Sequence, residues 1–206
     1  FLNTTLGYSH VNDFATQATD TVGSATYVQQ KNLRTQQIMS FNIGAPTPIK
    51  PWWNGYANLW INYQQFRGQI GANEVSENIP MYGAYLQQSF NLGKDYSTEL
   101  SGWYNGPSMW GGTWKVKPMG GLDFGIQKML LQKRATLKLS VTDILFTNPW
   151  KSINDFGGLY IDGRGQYESR TFRVNFTWRF GSNQIKQSRQ RKTGLESEAS
   201  RIKGGN

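Results

Sequence analysis

The residues of this chain that could do covalent chemistry are few. There is one histidine, His10, with Ser9 beside it and Asp13 close by. A serine, a histidine and an acid are the parts of a nucleophilic hydrolase, in which the histidine must hydrogen-bond the hydroxyl that it activates. Ser9 and His10 are sequence neighbours in an alternating stretch, so as strand residues they point to opposite faces and do not pair. The loop acids Asp20, Asp155 and Asp162 are isolated, and no cluster of His and carboxylates has the make-up of a metal site. Neither Gly157-Gly158 nor Gly163-Arg164-Gly165 opens a helix, the setting in which a glycine loop cradles phosphate. With no cysteine, thiolate and disulfide chemistry are excluded. The expectation is a protein without catalytic residues, metal or cofactor.

What the chain has instead is alternation. From Phe172 every second residue is large and apolar (Phe172, Val174, Phe176, Trp178, Phe180), while Thr171, Arg173, Asn175, Thr177 and Arg179 between them are polar. A period of two means a β-strand whose faces meet different solvents. Seven more segments alternate, over about 2–10, 33–45, 54–69, 81–92, 96–106, 117–131 and 135–147. The gaps between the eight run long, short, medium, short, medium, short, long. Pro46, Pro48 and Pro51 mark one short turn, Asn91 to Lys94 a second and Gln132 to Arg134 a third. Short turns on one side and long loops on the other are the rhythm of an up-and-down transmembrane barrel.

Composition agrees with strands of that kind. Only 37% of the 206 residues are hydrophobic while 14% are aromatic, with Trp 8, Tyr 10, Phe 11 and Gly 23. Mean hydropathy is −0.58, and no apolar run reaches the ~20 residues of a membrane helix, whereas barrel strands need only be half apolar. Trp52, Trp53 and Tyr56 at one end of a strand, and Tyr82, Tyr104, Trp110 and Trp114 near the other ends, suit two interfacial belts. If the apolar faces meet lipid, then Glu99, Asp123, Lys138, Arg173, Asn175 and Arg179 face a lumen. Packed inward, the same alternation would make a soluble β-sandwich that binds carbohydrate. That sandwich would have to bury the charges of the polar faces or leave them on its surface.

A family resemblance rests on particular stretches. Gly121-Leu-Asp-Phe-Gly-Ile-Gln-Lys-Met-Leu-Leu131, Leu137-Lys-Leu-Ser-Val-Thr-Asp-Ile-Leu-Phe146, the strand from Ser169-Arg170 to Phe180-Gly181, and Arg189-Gln-Arg-Lys-Thr-Gly194 are similar to the end of the outer-membrane β-barrel family common in Bacteroidota, related to TonB-dependent receptors. The resemblance implies an all-β fold in the outer membrane of a Gram-negative bacterium. The chain would be the C-terminal part of a larger antiparallel barrel, with about eight strands here over residues 1–181 and a basic periplasmic tail over 182–206. The function implied is the barrel wall of a TonB-dependent receptor-like transporter for a nutrient. The alternative is a self-contained eight-stranded barrel that anchors or adheres.

Implied partners are outer-membrane lipid, the barrel-assembly machinery, an N-terminal plug and TonB acting through upstream sequence, and a surface lipoprotein. The strand through Phe172, Val174, Phe176, Trp178 and Phe180 resembles the assembly signal of such barrels. In the loops, Trp110, Trp114, Tyr160 and Arg164 are candidates for touching an incoming ligand. The tail carries six cations against Glu196 and Glu198, four of the net charge of +9. Without interleaved aromatics it gives no sign of nucleic-acid binding.

Overall fold

A computed structural model of the chain describes residues 1–22 and 25–180. The tail and the final Gly181 lie outside the described residues, as do Gly23 and Ser24. The alternation folds as strand: β1 (Asn3–Val22), β2 (Ala25–Lys50), β3 (Trp53–Ile70), β4 (Asn73–Gly93), β5 (Tyr96–Asn105), β6 (Ser108–Trp110), β7 (Trp114–Val116), β8 (Met119–Leu130), β9 (Ala135–Val141), β10 (Trp150–Phe156), β11 (Leu159–Gly165) and β12 (Phe172–Trp178). Eight of them form one antiparallel sheet in the order β1-β2-β3-β4-β5-β8-β9-β12, and the other four form a small sheet in the order β11-β10-β7-β6. The large sheet is therefore the expected eight-stranded, up-and-down array. It is open: among the described residues β1 and β12 do not pair with each other.

Register sorts the side chains into two faces. Leu6, Phe41, Ile61 and Tyr82 stand opposite one another across β1 to β4. Leu100, Phe124, Val141 and Phe172 do so across β5, β8, β9 and β12. The intervening residues form a polar face, with Asn42 opposite Trp60 and with Gly125, Ser140 and Arg173 in one row. On that face the Trp60 ring lies over Gly83, where an added Cβ would sit 2.5 Å from it. Only a glycine lets a ring lie that close to the neighbouring strand.

The connections at one end are short. Pro51-Trp52 joins β2 to β3, Lys94-Asp95 joins β4 to β5, and Leu131 to Arg134 joins β8 to β9. Lys94 and Asp95 have φ of +49° and +64°, the left-handed pair that a two-residue hairpin requires. The proline-rich turn expected over 46–53 is shorter than that. β2 continues through Lys50, with Pro46 opposite Tyr56 and Pro48 opposite Asn54. Beyond Gly44, β2 is no longer flanked by β1, and a strand with one neighbour tolerates a missing N–H.

The opposite end differs most from expectation. The segments at about 11–32 and 70–80 are not loops: β1 and β2 pair from Asn3–Gly44 up to Val22–Ala25, and β3 and β4 pair up to Ile70–Asn73. These strands have 20, 26, 18 and 21 residues, about twice the ~9–11 needed to cross a bilayer. The connections over 107–116 and 148–167 hold β6, β7, β10 and β11. At this loop-rich end lies a true core, with Ala18, Leu33, Phe66, Ile70, Val75 and Met109 buried and Phe14, Ile79 and Phe156 packed on them.

Phe14 has the parity of the apolar residues Leu6 and Tyr8, yet its ring lies 5.9 Å from that of Phe66, which has polar-face parity on β3. Asp13 between the paired positions Asn12–Thr35 and Phe14–Leu33 has φ +51°. The left-handed residue, tolerated best by Asn and Asp, marks where the hairpin turns its apolar side inward.

Candidate functional site

Two surfaces carry the residues that the alternation singles out. The first is the polar face. Glu99, Asp123, Lys138, Arg173 and Asn175 all have its parity, and Lys138 is directly opposite Asn175. Arg179 lies just past the end of β12, where its backbone N–H donates to the Arg134 carbonyl at 2.8 Å. Phe180 likewise lies beyond the strand, so the regular part of the aromatic alternation is Phe172 to Trp178. Glu99 and Arg173 occupy one row, separated by Gly125 and Ser140. Three strand spacings place their backbones ~14 Å apart, with small side chains on the floor between. The Glu99 carboxylate accepts from Gln87 Nε2 at 2.9 Å, and Asp123 Oδ1 accepts from the Asp143 N–H at 2.8 Å. Lys138, Arg173 and Arg179 are in none of the ion pairs among the described residues, which are Lys115–Glu77, Lys133–Asp95 and Arg164–Asp162.

The second surface is the small sheet. The tip of the β6–β7 hairpin, Gly111-Gly112, has φ of +64° and +82°. It reaches β1, where the Thr16 hydroxyl donates to the Gly111 carbonyl at 3.2 Å. An added Cβ on Gly112 would meet Leu33, Val75 and Phe66 within 3.0–3.4 Å. Phe66, Ile70 and Val75 have polar-face parity while Thr16 and Leu33 have apolar-face parity, so the small sheet packs on the polar side of the β3–β4 hairpin and on the inturned apolar side of the β1–β2 hairpin. Trp110 and Trp114 are thus not rim residues of an aromatic belt. They are cross-strand partners in this sheet.

The four loop candidates do not converge. Trp110 and Trp114 meet Trp150, Val116 and Ser152 around an open cleft of about 340 Å³. Tyr160 and Arg164 have the opposite parity, opposite Asp155 and Lys151. Arg164 donates to Asp162 from Nε at 3.2 Å and from Nη2 at 2.9 Å. That hydrogen bond, against slight desolvation and with help from Lys117 and Lys151, holds the Asp162 carboxyl below its usual range. Trp150 was not among the expected ligand residues. Its signal was Phe156-Gly157-Gly158-Leu159, a Gly-Gly pair between apolar residues that marks a hairpin, with Trp150, Ser152, Asn154 and Phe156 alternating before it.

Sequence reading also passed over Asp143. It is 2% exposed and lies two residues past the end of β9, with φ +46°. Its carboxylate accepts from the Ser169 hydroxyl at 2.5 Å and from the Thr147 N–H at 2.9 Å. Arg170 donates from Nε to the Asp143 carbonyl at 3.3 Å and from Nη2 to the Ile144 carbonyl at 3.0 Å, and lies over the Phe146 ring at 5.0 Å. Burial alone would raise the Asp143 pKa. The hydrogen bonds from Ser169, Thr147 and Asn148, with the Arg170 charge, outweigh it and lower the value. This clasp fixes both ends of the connection that carries β10 and β11. It is the physical content of the Val141-Thr-Asp-Ile-Leu-Phe146 and Ser169-Arg170 stretches.

Aromatic residues band the exposed apolar face. At the short-turn end Trp52, Trp53 and Phe90 cluster with ring centroids 5.5–6.3 Å apart. At the other end Tyr82 and Tyr104 lie 6.3 Å apart. From Trp53 to Tyr63 is ten residues of β3, ~33 Å along the strand and ~24 Å after a ~45° tilt, close to the ~25 Å apolar band of an outer-membrane barrel. An antiparallel meander with such a face is the wall of a membrane β-barrel. The chain belongs to the outer membrane protein beta-barrel family, whose model matches residues 1–178, and its place is the outer membrane. No curated protein and no solved structure matches it.

Proposed function

We propose that the chain is barrel wall in a TonB-dependent receptor-like transporter that admits a nutrient across the outer membrane, and that it does no covalent chemistry itself. The observation that carries this reading is an open eight-stranded sheet whose polar face holds cations that have no ion-pair partner among the described residues. Closed on itself, an eight-stranded barrel has an interior just wide enough for side chains to fill. Lys138 and Arg173 would then be desolvated there at a cost of several kcal/mol each. A wider lumen keeps them hydrated, and a plug domain from elsewhere in the protein gives them acidic partners.

On this reading the long connections are extracellular, as in other outer-membrane barrels. The small sheet stands over the lumenal side of the mouth, where an entering ligand or a surface lipoprotein meets it first. TonB acts through the plug, and the assembly machinery reads the alternation of β12. The absence of an enzymatic role is supported by His10, whose Nε2 is 2.9 Å from Asn12 Oδ1, with Ser9 at the next register position on the other face.

The test is the intact mass of the protein extracted by detergent from its native outer membrane, followed by capture on the immobilised periplasmic domain of TonB. A mass far above 23.4 kDa together with TonB capture is the expected result. A mass near 23.4 kDa without capture refutes the transporter and leaves a small anchoring or adhesive barrel.

A further inference from the structure

We propose that the membrane-facing side of β4, β5 and β8 holds one anionic, phosphate-bearing lipid, its acyl chain in a groove over Gly102 and its phosphate at Lys151 and Lys117. Register builds the groove. Leu86, Gly102 and Leu122 form one row of the apolar face, and Ala84, Tyr104 and Gly120 form the next row toward the loop-rich end. Gly102 and Ala84 leave a trough between Leu86, Leu100, Leu122 and Tyr104, with about 310 Å³ of open space. A Cβ on Gly102 would meet a Leu122 methyl at 3.4 Å and the Gly121 carbonyl at 3.5 Å. Those are ordinary contacts, so the trough is room for a guest and not a close approach of strands.

A second hollow, of about 410 Å³, begins where the first ends, for Tyr104 lines both. Pro118, Phe146, Pro149 and Lys151 are among its other walls, and no carboxylate is in its lining. Hydrogen bonds place Lys151 there. The Thr147 hydroxyl donates to the Gly120 carbonyl at 2.9 Å, and the Gly120 N–H donates to the Thr147 carbonyl at 3.3 Å. The chain that enters β10 therefore starts from the top of β8. The Lys117 N–H donates to the Lys151 carbonyl at 2.8 Å, continuing the ladder in which Val116 is opposite Ser152. Lys117 and Lys151 are thus cross-strand neighbours on one face, and only Pro118 separates Lys117 from β8.

Charge and position choose the occupant. Neither lysine is in an ion pair among the described residues. Arg164 is opposite Lys151 and Asp162 opposite Ile153, and the Asp162 carboxylate accepts from Arg164 Nη2 at 2.9 Å. This end of the face therefore sets Lys117, Lys151 and Arg164 against one acid, while Asp155 lies four residues further along β10. The groove opens on the apolar face, where lipid is the solvent, so what fills it is acyl chain. Tyr82 and Tyr104, 6.3 Å apart, mark the aromatic boundary of that face, and a headgroup belongs just beyond it. A headgroup of net negative charge is attracted to the lysines, whereas one whose ammonium cancels its phosphate gains less. The inference rests on the proposed extracellular position of the long connections only for the leaflet that supplies the lipid. A protein of small mass would end the transporter and leave this site standing.

The probe is phosphatidic acid with a photoreactive diazirine on its acyl chain, a trace component of phosphatidylcholine nanodiscs that hold the full-length protein. Mass spectrometry of cross-linked peptides is expected to place the label between Ala84 and Tyr104 and at Gly121 and Leu122. Its yield there is at least about fivefold above that of phosphatidylcholine with the same chain, and Lys117→Gln with Lys151→Gln lowers it about tenfold or more. Gly102→Leu, which fills the groove and keeps both lysines, lowers it by a similar factor, while Lys133→Gln at the opposite end of the sheet has no effect. Both lysines are exposed, so their variant keeps the test readable should the Gly102 variant not assemble. Unlabelled phosphatidic acid competes and inorganic phosphate does not. Equal labelling by the two lipids overturns the proposal and makes the groove ordinary lipid contact, as does labelling that survives loss of both lysines. Competition by inorganic phosphate also overturns it and assigns the upper hollow to a water-soluble anion.

Discussion

The same residue types have opposite fates at the two levels of this molecule. At the level of the short hairpins, Leu6, Leu59, Ile61 and Phe176 are 79%, 55%, 53% and 58% exposed. In the loop-rich part, Leu33, Phe66 and Val75 are 0–1% exposed. Both levels belong to the same strands, for Ile61 and Phe66 are five residues apart on β3. The difference is in what surrounds them. Where lipid is the solvent the apolar side need not be covered by protein, and the sheet stays one layer thick. Where water begins the chain must supply its own cover, which here is a second sheet made from the two long connections.

The largest effect is expected in the covered part. Phe66→Ala leaves a cavity among Leu33, Val75, Phe14 and Gly112 and costs about 3–5 kcal/mol. The small sheet then loosens, read as faster protease cleavage within 107–116 and 148–167 while the membrane-level strands stay protected. If those strands are cleaved as fast, the two levels are one cooperative unit and the comparison fails. A somewhat smaller effect belongs to the lipid level. Ile61→Arg introduces a cation on the apolar band and costs roughly 2–4 kcal/mol near its middle, read from the urea midpoint of unfolding in liposomes. On a soluble sheet the same change at an exposed position moves stability by about 0.5 kcal/mol or less. A null result there would mean that water, not lipid, lies on that face.

The eight-stranded meander was legible because its signals are local. Each spanning stretch alternates at period two, and the turns carry Gly, Pro or short polar runs at steady intervals. The upper halves of β1 and β2 were not legible. Thr16-Gln-Ala-Thr19 and Gln29-Gln-Lys-Asn32 hardly alternate, and they are held as strands by their mutual ladder and by the sparse contacts of Phe14, Ala18 and Leu33. Register decided the rest. It sent Tyr160 and Arg164 to the face away from Trp110 and Trp114, and it brought in Trp150 from about 40 residues along the chain. Asp143 was invisible for another reason. A lone acid after a strand reads as solvated loop until the chain returns Ser169 and Arg170 to it.

That clasp joins the two levels, and it supplies the smaller effects. Asp143→Ala strands the Ser169 hydroxyl and the Thr147 N–H, a loss of about 1–3 kcal/mol. It is expected to free the 148–167 connection without disturbing β1 to β4, with urea unfolding of the small sheet followed by tryptophan fluorescence. The pH dependence of the same group has a definite sign. Because the folded pKa of Asp143 is lowered, its contribution is fully present above the ordinary aspartate value of about 3.9 and is lost as pH falls through the lower folded value. Between pH 7 and 5 the wild type and Asp143→Asn should therefore differ by a constant amount. Below about pH 4 the difference should shrink, because the wild type loses what the variant never had. Other carboxylates titrate in the same range but cancel in that difference. A gap between the two proteins that instead widens as pH falls from 7 to 5 would place the Asp143 pKa above the ordinary value. The hydrogen bonds and Arg170 would then not outweigh burial, and the clasp would not be what holds the second sheet to the wall.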